Sequence, residues 1–342
     1  MKKLLMALGL AWILCPLANI SLAEAKTPPA NKKEIMNRFL EGTLDKGYVP
    51  AAFFMHVDAN HKEGEAAVNA HLKYFLQTNQ DILKVQFEQS MPRIANLDKQ
   101  ETWDKIVPPA QDFYRKTLEV IKGIHDVVGR DVYVLPTIYS PYQVARQSLR
   151  EENIVKAAKE RPDDLKRVLG YYADALLWLV KECKAIGIEG FYTTTQGGEM
   201  KFYEVPGFFE TFIKPFDFRV MEACNEGTKL NILHICDWEG TFDDLTRFKD
   251  YPAQIVNTPI NLNGTTFSVT DGVKLFGRPV LGGLDRHGVI VKGSEDEVAQ
   301  TVREALRSAP KGKVMLGAEC TVGGATMDNI HRAVATAHHK GE

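Results

Sequence analysis

The sequence predicts an α/β protein folded as a single (β/α)8 TIM barrel, on three observations. Eight short apolar runs recur, at 49–56, 81–87, 131–139, 187–195, 229–235, 253–258, 278–284 and 313–319. Amphipathic stretches long enough for helices lie between them, such as 162–186, 205–227, 295–308 and 325–338. Polar residues follow the ends of the runs, where the C-terminal mouth of such a barrel gathers its chemistry. Strands that alternate with helices pair in parallel, and eight such units are the number that closes a barrel. With 342 residues and 44% hydrophobic content the chain can bury one large core, and neither a repeat nor a domain linker interrupts it.

The elements follow in order. Lys2 and Lys3 precede an apolar run from Leu4 to Leu17, and Ala23-Glu-Ala25 supplies small residues around a cleavage point. That pattern predicts a signal peptide over 1–25, an exported (periplasmic or extracellular) mature protein, and no stable membrane span after cleavage. A flexible linker is expected at 26–32 and the barrel domain at 33–342. The first βα units are the least regular, and 88–109 reads as a long loop over the mouth. After the first four runs come His56 and Asp58, Glu88, Tyr139 and Tyr142, then Gln196 and Glu199. Asn261 and Asn263 follow the sixth, and Asp285, Arg286 and His287 the seventh. A net charge of −2 gives neither a nucleic-acid footprint nor a polybasic membrane surface.

The fifth and eighth runs carry the chemistry. His234-Ile-Cys236 closes the fifth, and residues two apart on a strand point to the same side. Cys320 closes the eighth. Three such ligands on two strand ends describe a zinc site whose fourth position is open, as in catalytic rather than structural zinc. In an oxidising compartment a Cys236–Cys320 disulfide is the alternative. Cys183 and Cys224 lie at helical spacing on apolar faces and read as inert core residues. Asp237 or Glu319 could orient His234 through its second ring nitrogen. Asp285 and Glu319 are the catalytic candidates. Arg286, Tyr139, Gln196 and Asn261 are the substrate-binding candidates, with Arg286 able to meet an anionic group or to pair with Asp285 or Glu319.

Several ordered segments carry a resemblance. They are Phe208-Phe-Glu-Thr-Phe-Ile-Lys-Pro-Phe216, Gly282-Gly-Leu-Asp285, Gly293-Ser-Glu-Asp-Glu-Val298, Leu316-Gly-Ala-Glu-Cys-Thr321 and Asp328-Asn-Ile330. In that order the chain resembles the uroporphyrinogen decarboxylase superfamily from about residue 33 to residue 338. The resemblance implies a (β/α)8 barrel. Its decarboxylase branch carries an early Arg-Gln-Ala-Gly-Arg segment, which has no counterpart here, and a histidine where Cys320 stands. Its methylcobamide:thiol methyltransferase branch, the coenzyme M type, carries His-X-Cys on strand 5 and Cys after strand 8, matched by His234, Cys236 and Cys320. That branch implies zinc, a thiol acceptor and a methyl group from a corrinoid, which a corrinoid protein could carry. The export signal departs from the branch, whose members work in the cytoplasm. Two other functions stay open: a carboxy-lyase acting on a porphyrinogen-like acid, and a non-catalytic binder of corrinoid, tetrapyrrole or zinc.

Overall fold

The computed structural model describes residues 31–45 and 47–339. The expected signal peptide and nearly all of the expected linker lie outside them. Asn31 caps the first helix, α1 (Lys32–Glu41), by accepting the Glu34 N–H, so the last two positions of the expected linker cap and open a helix. No helix among the described residues is long and apolar enough to cross a membrane.

α2 (Gly64–Thr78) leads to β1 (Ile82–Val85). The loop expected at 88–109 is largely irregular but holds a short helix, α3 (Gln100–Asp104). Then come α4 (Arg115–Val128), β2 (Tyr133–Ile138), α5 (Pro141–Leu149), α6 (Glu151–Glu160), α7 (Pro162–Ala185) and β3 (Gly190–Thr195). A π-helical turn, Phe209–Ile213, opens α8 (Lys214–Asn225) before β4 (Leu230–Ile235) and β5 (Ile255–Asn257). A small hairpin, β6 (Asn261–Leu262) and β7 (Thr265–Thr266), precedes α9 (Val269–Phe276) and β8 (Val280–Leu284). The chain ends with α10 (Val289–Lys292), α11 (Glu295–Arg307), β9 (Val314–Ala318) and α12 (Met327–His338).

Seven parallel strands run in the order β1-β2-β3-β4-β5-β8-β9. The first of the eight expected strands is reduced to one parallel bridge, Ala51 to Leu316. That bridge closes the barrel. Ala52 donates to the Leu316 carbonyl (2.9 Å), Leu316 donates to the Pro50 carbonyl (2.7 Å), and Asp81 donates to the Ala51 carbonyl (3.0 Å).

Alternation along the strands makes two layers. Ile82, Tyr133, Leu135, Tyr192, Leu230, Ile232, Ile255, Leu281 and Met315 fill the interior, and Met36 and Phe39 of α1 pack against them. Leu83, Val85, Val134, Leu233 and Val256 face the surrounding helices instead. Near α1, Asp81 joins both ends of the described chain. It accepts from Lys32 (3.2 Å), Tyr48 (2.6 Å) and the Ala51 N–H (2.7 Å), and pairs with His338 of α12 (2.8 Å). Burial alone would raise its pKa, but the hydrogen bond and charge of His338, with Lys32 and Tyr48, hold it below the usual carboxylate range.

Gly190 shows how tightly β3 and β4 meet. It lies opposite Leu230, and a Cβ there would stand 1.9 Å from the Leu230 carbonyl oxygen and 2.8 Å from Leu135 Cδ2. Gly190→Ala is therefore expected to destabilise the protein by about 3 kcal/mol through overpacking. Urea unfolding measures this, and an unchanged midpoint would show that the strands give way freely.

Candidate metal centre

The pleat of β4 builds half of the site. Leu230 and Ile232 face the barrel interior, so His234 and Cys236 continue on the same side toward the mouth. β9 reaches it differently. Leu316 and Ala318 pack against the helices, and strict alternation would send residue 320 after them. The strand ends at Ala318, and a bend through Glu319 and Cys320 turns the Cys320 thiol into the cavity.

One donor atom from each of His234, Cys236 and Cys320 lies within 4.8 Å of the others, and all three residues are buried. Zn–S bonds of about 2.3 Å and Zn–N bonds of 2.0–2.1 Å at a tetrahedral angle place sulfur and nitrogen roughly 3.6 Å apart. Cys320 Sγ and His234 Nε2 are 3.5 Å apart. The donor set therefore fits zinc. All four described cysteines are free thiols, Cys236 and Cys320 included. Cys183 and Cys224 are fully buried in the helical layer, and burial pushes both thiols up, as befits inert core residues.

The two site cysteines are hydrogen-bonded to each other. Cys320 is held well below the usual thiol range, first by the hydrogen bond from Cys236 and then by His234 and Arg286, against the cost of burial. The hydrogen bond to Cys320 and burial both push the Cys236 thiol up. Gln196 Nε2 donates to Cys236 Sγ at 3.2 Å. The His234 ring stacks on Tyr192 with centroids 5.5 Å apart.

The mouth cavity measures about 270 Å³. Tyr139 and Gln196 line it, and Tyr139 stacks on Phe87. Asp285, Arg286, Glu319 and Asn261 are not in its wall. Asp285 is exposed and accepts from the His287 N–H (2.7 Å), and Asn261 sits in the exposed β6–β7 hairpin. Glu319 is buried, accepts the Arg286 N–H (2.9 Å), and is raised by burial to about 7. Arg286 pairs with Asp237 (2.6 Å) and approaches Glu319 (3.6 Å), where a pairing with Asp285 or Glu319 was expected. Neither Asp237 nor Glu319 orients His234, since Arg286 occupies both carboxylates. His234 Nδ1 has no partner among the described residues.

Several residues of the wall escaped the sequence reading. Lys84 of β1 points inward with Ile82, lines the cavity with the two cysteines, and donates to Gln86 (2.8 Å). Burial lowers its amine to about 8, opposed by the charges of Cys320, Glu88 and Cys236. The signal was present: a lysine inside the apolar run Ile82-Leu-Lys-Val85, in register with the inward face. Arg146 and Gln143 of α5 complete one side, where Gln143 accepts from Thr194 and Arg146 pairs with Glu239. Arg146 Nε, Gln147 Oε1 and Gln196 Oε1 are buried without partners among the described residues, which leaves the wall polar and unsatisfied.

No family model and no curated protein matches the chain. Solved structures do. A methyltransferase from Methanosarcina mazei superposes with a TM-score of 0.70 at 16% identity, covering 90% of this chain and 98% of its own. A B12-independent methionine synthase from a Shewanella species, in complex with selenomethionine, superposes with a TM-score of 0.51 at 14% identity, covering 86% and 93%. At these identities the likeness establishes the shared barrel fold.

Proposed function

We propose that this chain is a zinc-dependent methyltransferase-like enzyme that activates a small-molecule thiol for methyl transfer, with the methyl group supplied by a corrinoid. One observation carries the reading: two thiols and an imidazole converge, buried, at the mouth of the barrel. The motif resemblance to the methylcobamide:thiol branch of the uroporphyrinogen decarboxylase superfamily supports it, as does the fold shared with a methyltransferase. We place the mature protein outside the cytoplasm, with a corrinoid or corrinoid protein as its partner there.

His234, Cys236 and Cys320 would hold the metal. Bound there, zinc supplies the Lewis acidity that favours the thiolate form of an incoming thiol. The chain does the rest. Gln196 tempers the charge on Cys236 by donating to its sulfur, and Tyr192 fixes the plane of His234. Lys84, whose amine burial lowers to about 8, is the ionisable amine of the wall that can relay the thiol proton, and its protonated form is favoured by the charges of the two cysteines. Arg286, Asp237 and Glu319 form a salt-bridged support behind the ligands, with Arg286 lowering the Cys320 thiol from there.

The test is metal analysis of the purified protein together with incubation of methylcobalamin and a thiol series, following the thioether by mass spectrometry. One zinc per chain and thioether formation are expected. Zinc without transfer to any thiol would leave a metal or cofactor binder instead.

A further inference from the structure

We infer that the site has a second compartment, a slot between the chain at 53–57 and β1 that takes the apolar arm of an amphipathic ligand. The inference rests on the proposed thiol activation only for the ligand's reacting end.

The slot exists because the barrel is closed on one side of its first strand and wedged open on the other. Toward β9, the segment makes backbone bonds through Pro50 and Ala52. Toward β1, the backbone contact is Asp81 N–H to the Ala51 carbonyl, at the base. Above it, side chains stand where a ladder would run. The Phe53 N–H donates to Gln80 Oε1, Tyr74 of α2 donates to the Phe53 carbonyl (2.8 Å), and Gln86 Nε2 donates to the Met55 carbonyl (2.5 Å). His71 of α2 accepts the Gln86 N–H at 3.1 Å, which fixes its Nε2 as the unprotonated nitrogen. These bonds satisfy the backbone while holding the two strands apart.

The gap opens into a groove of about 940 Å³ whose outer edge, at Asp58, Asn69, Lys73 and Gln77, lies at the surface. It falls in the range of small-molecule sites. Phe53, Met55, Leu72 and Leu83 form its apolar wall. His56, Lys84 and Gln86 line both this cavity and the metal cavity, so the two adjoin at a polar threshold. At the other end Leu76 is 66% exposed and Met327 36% exposed, set among the polar Asn69, Lys73 and Gln77 of the outer rim. The ligand that fits is a linear alkyl or aryl chain with a polar group at Lys84 and Gln86, its reacting end beyond them at the metal.

The probes are unreactive 1-alkanols from butanol to octanol, titrated calorimetrically into the full chain. Each added methylene should tighten binding about threefold to fourfold. Ala70→Trp projects an indole into the slot from α2 and should flatten the series while zinc content and thermal unfolding stay unchanged. Should that variant misfold, Ala70→Leu is expected to move the longest productive chain to a shorter one. In the thiol assay, octanethiol should show a lower KM than ethanethiol, and Ala70→Trp should erase the difference. Affinity independent of chain length, or a series untouched by either Ala70 variant, overturns the slot. A chain-length series that holds without thiol turnover supports the slot and removes the thiol reading instead.

Discussion

Replacing His234 or Cys320 by alanine should strip the protein of zinc and lower thiol methylation at least about a hundredfold, with the barrel intact. A three-ligand site that loses one ligand keeps neither the charge nor the geometry to hold zinc at an open position. The fold does not depend on these side chains, because the strands bury their own layers of Ile, Leu, Tyr and Met below the mouth. Thermal unfolding should be compared in chelator, since bound zinc would stabilise the unsubstituted protein by mass action. Cys224→Ala is the contrast. Cys224 is fully buried on α8, so its loss should cost about 1 kcal/mol through a small cavity and leave the zinc in place. Zinc lost from Cys224→Ala and kept by Cys320→Ala would overturn the assignment.

A second large effect is expected from a carboxyl outside the metal site. Asp217 of α8 is fully buried; it accepts from Thr195 (2.6 Å) and Tyr251 (3.1 Å), and its other oxygen has no partner among the described residues. Burial raises it to about 8, against those two hydrogen bonds. The folded protein therefore keeps a proton that the unfolded chain releases near pH 4. Stability from this group is fully present below that value and is lost as pH rises toward about 8. Asp217→Asn, which keeps the shape and cannot ionise, should gain roughly 3–5 kcal/mol over the unsubstituted protein between pH 4 and pH 9. Urea unfolding of both proteins across that range reads the difference directly. A constant difference would mean that Asp217 is already ionised in the folded state. Glu199 and Glu319, each raised to about 7 by burial, act in the same direction in both proteins and cancel in the comparison.

The barrel was legible because its signal is repetitive: seven of the eight expected runs are strands, and their inward residues follow the period of two. The first run was overcounted as a full strand. Its sequence is apolar enough, but on the β1 side Gln80, Tyr74 and Gln86 take its hydrogen bonds, and no local pattern announces that. His234 and Cys236 were legible because two residues on one strand carry their relative direction with them. Cys320 lies in the site for a reason that alternation does not supply, the bend after Ala318. Asp285 and Asn261 were named for following strand ends, yet each is spent on its own turn. Lys84 and Arg146 were missed for opposite reasons. Lys84 was hidden in an apolar run, and Arg146 belongs to a helix whose placement over the mouth is a tertiary fact.

The Asp81 junction bears on how the chain is made. The parallel partner of Ala51 is Leu316, and the histidine on Asp81 is residue 338, so two of the contacts that fasten the opening segment of the barrel come from far downstream in the chain. A ribosome that has released only the first three hundred residues has made a sheet with an unfastened edge. Until Val314–Ala318 has been made, the opening segment has no strand partner on that side and the barrel cannot close. Truncation inside α12 would leave every strand present and remove His338 from Asp81.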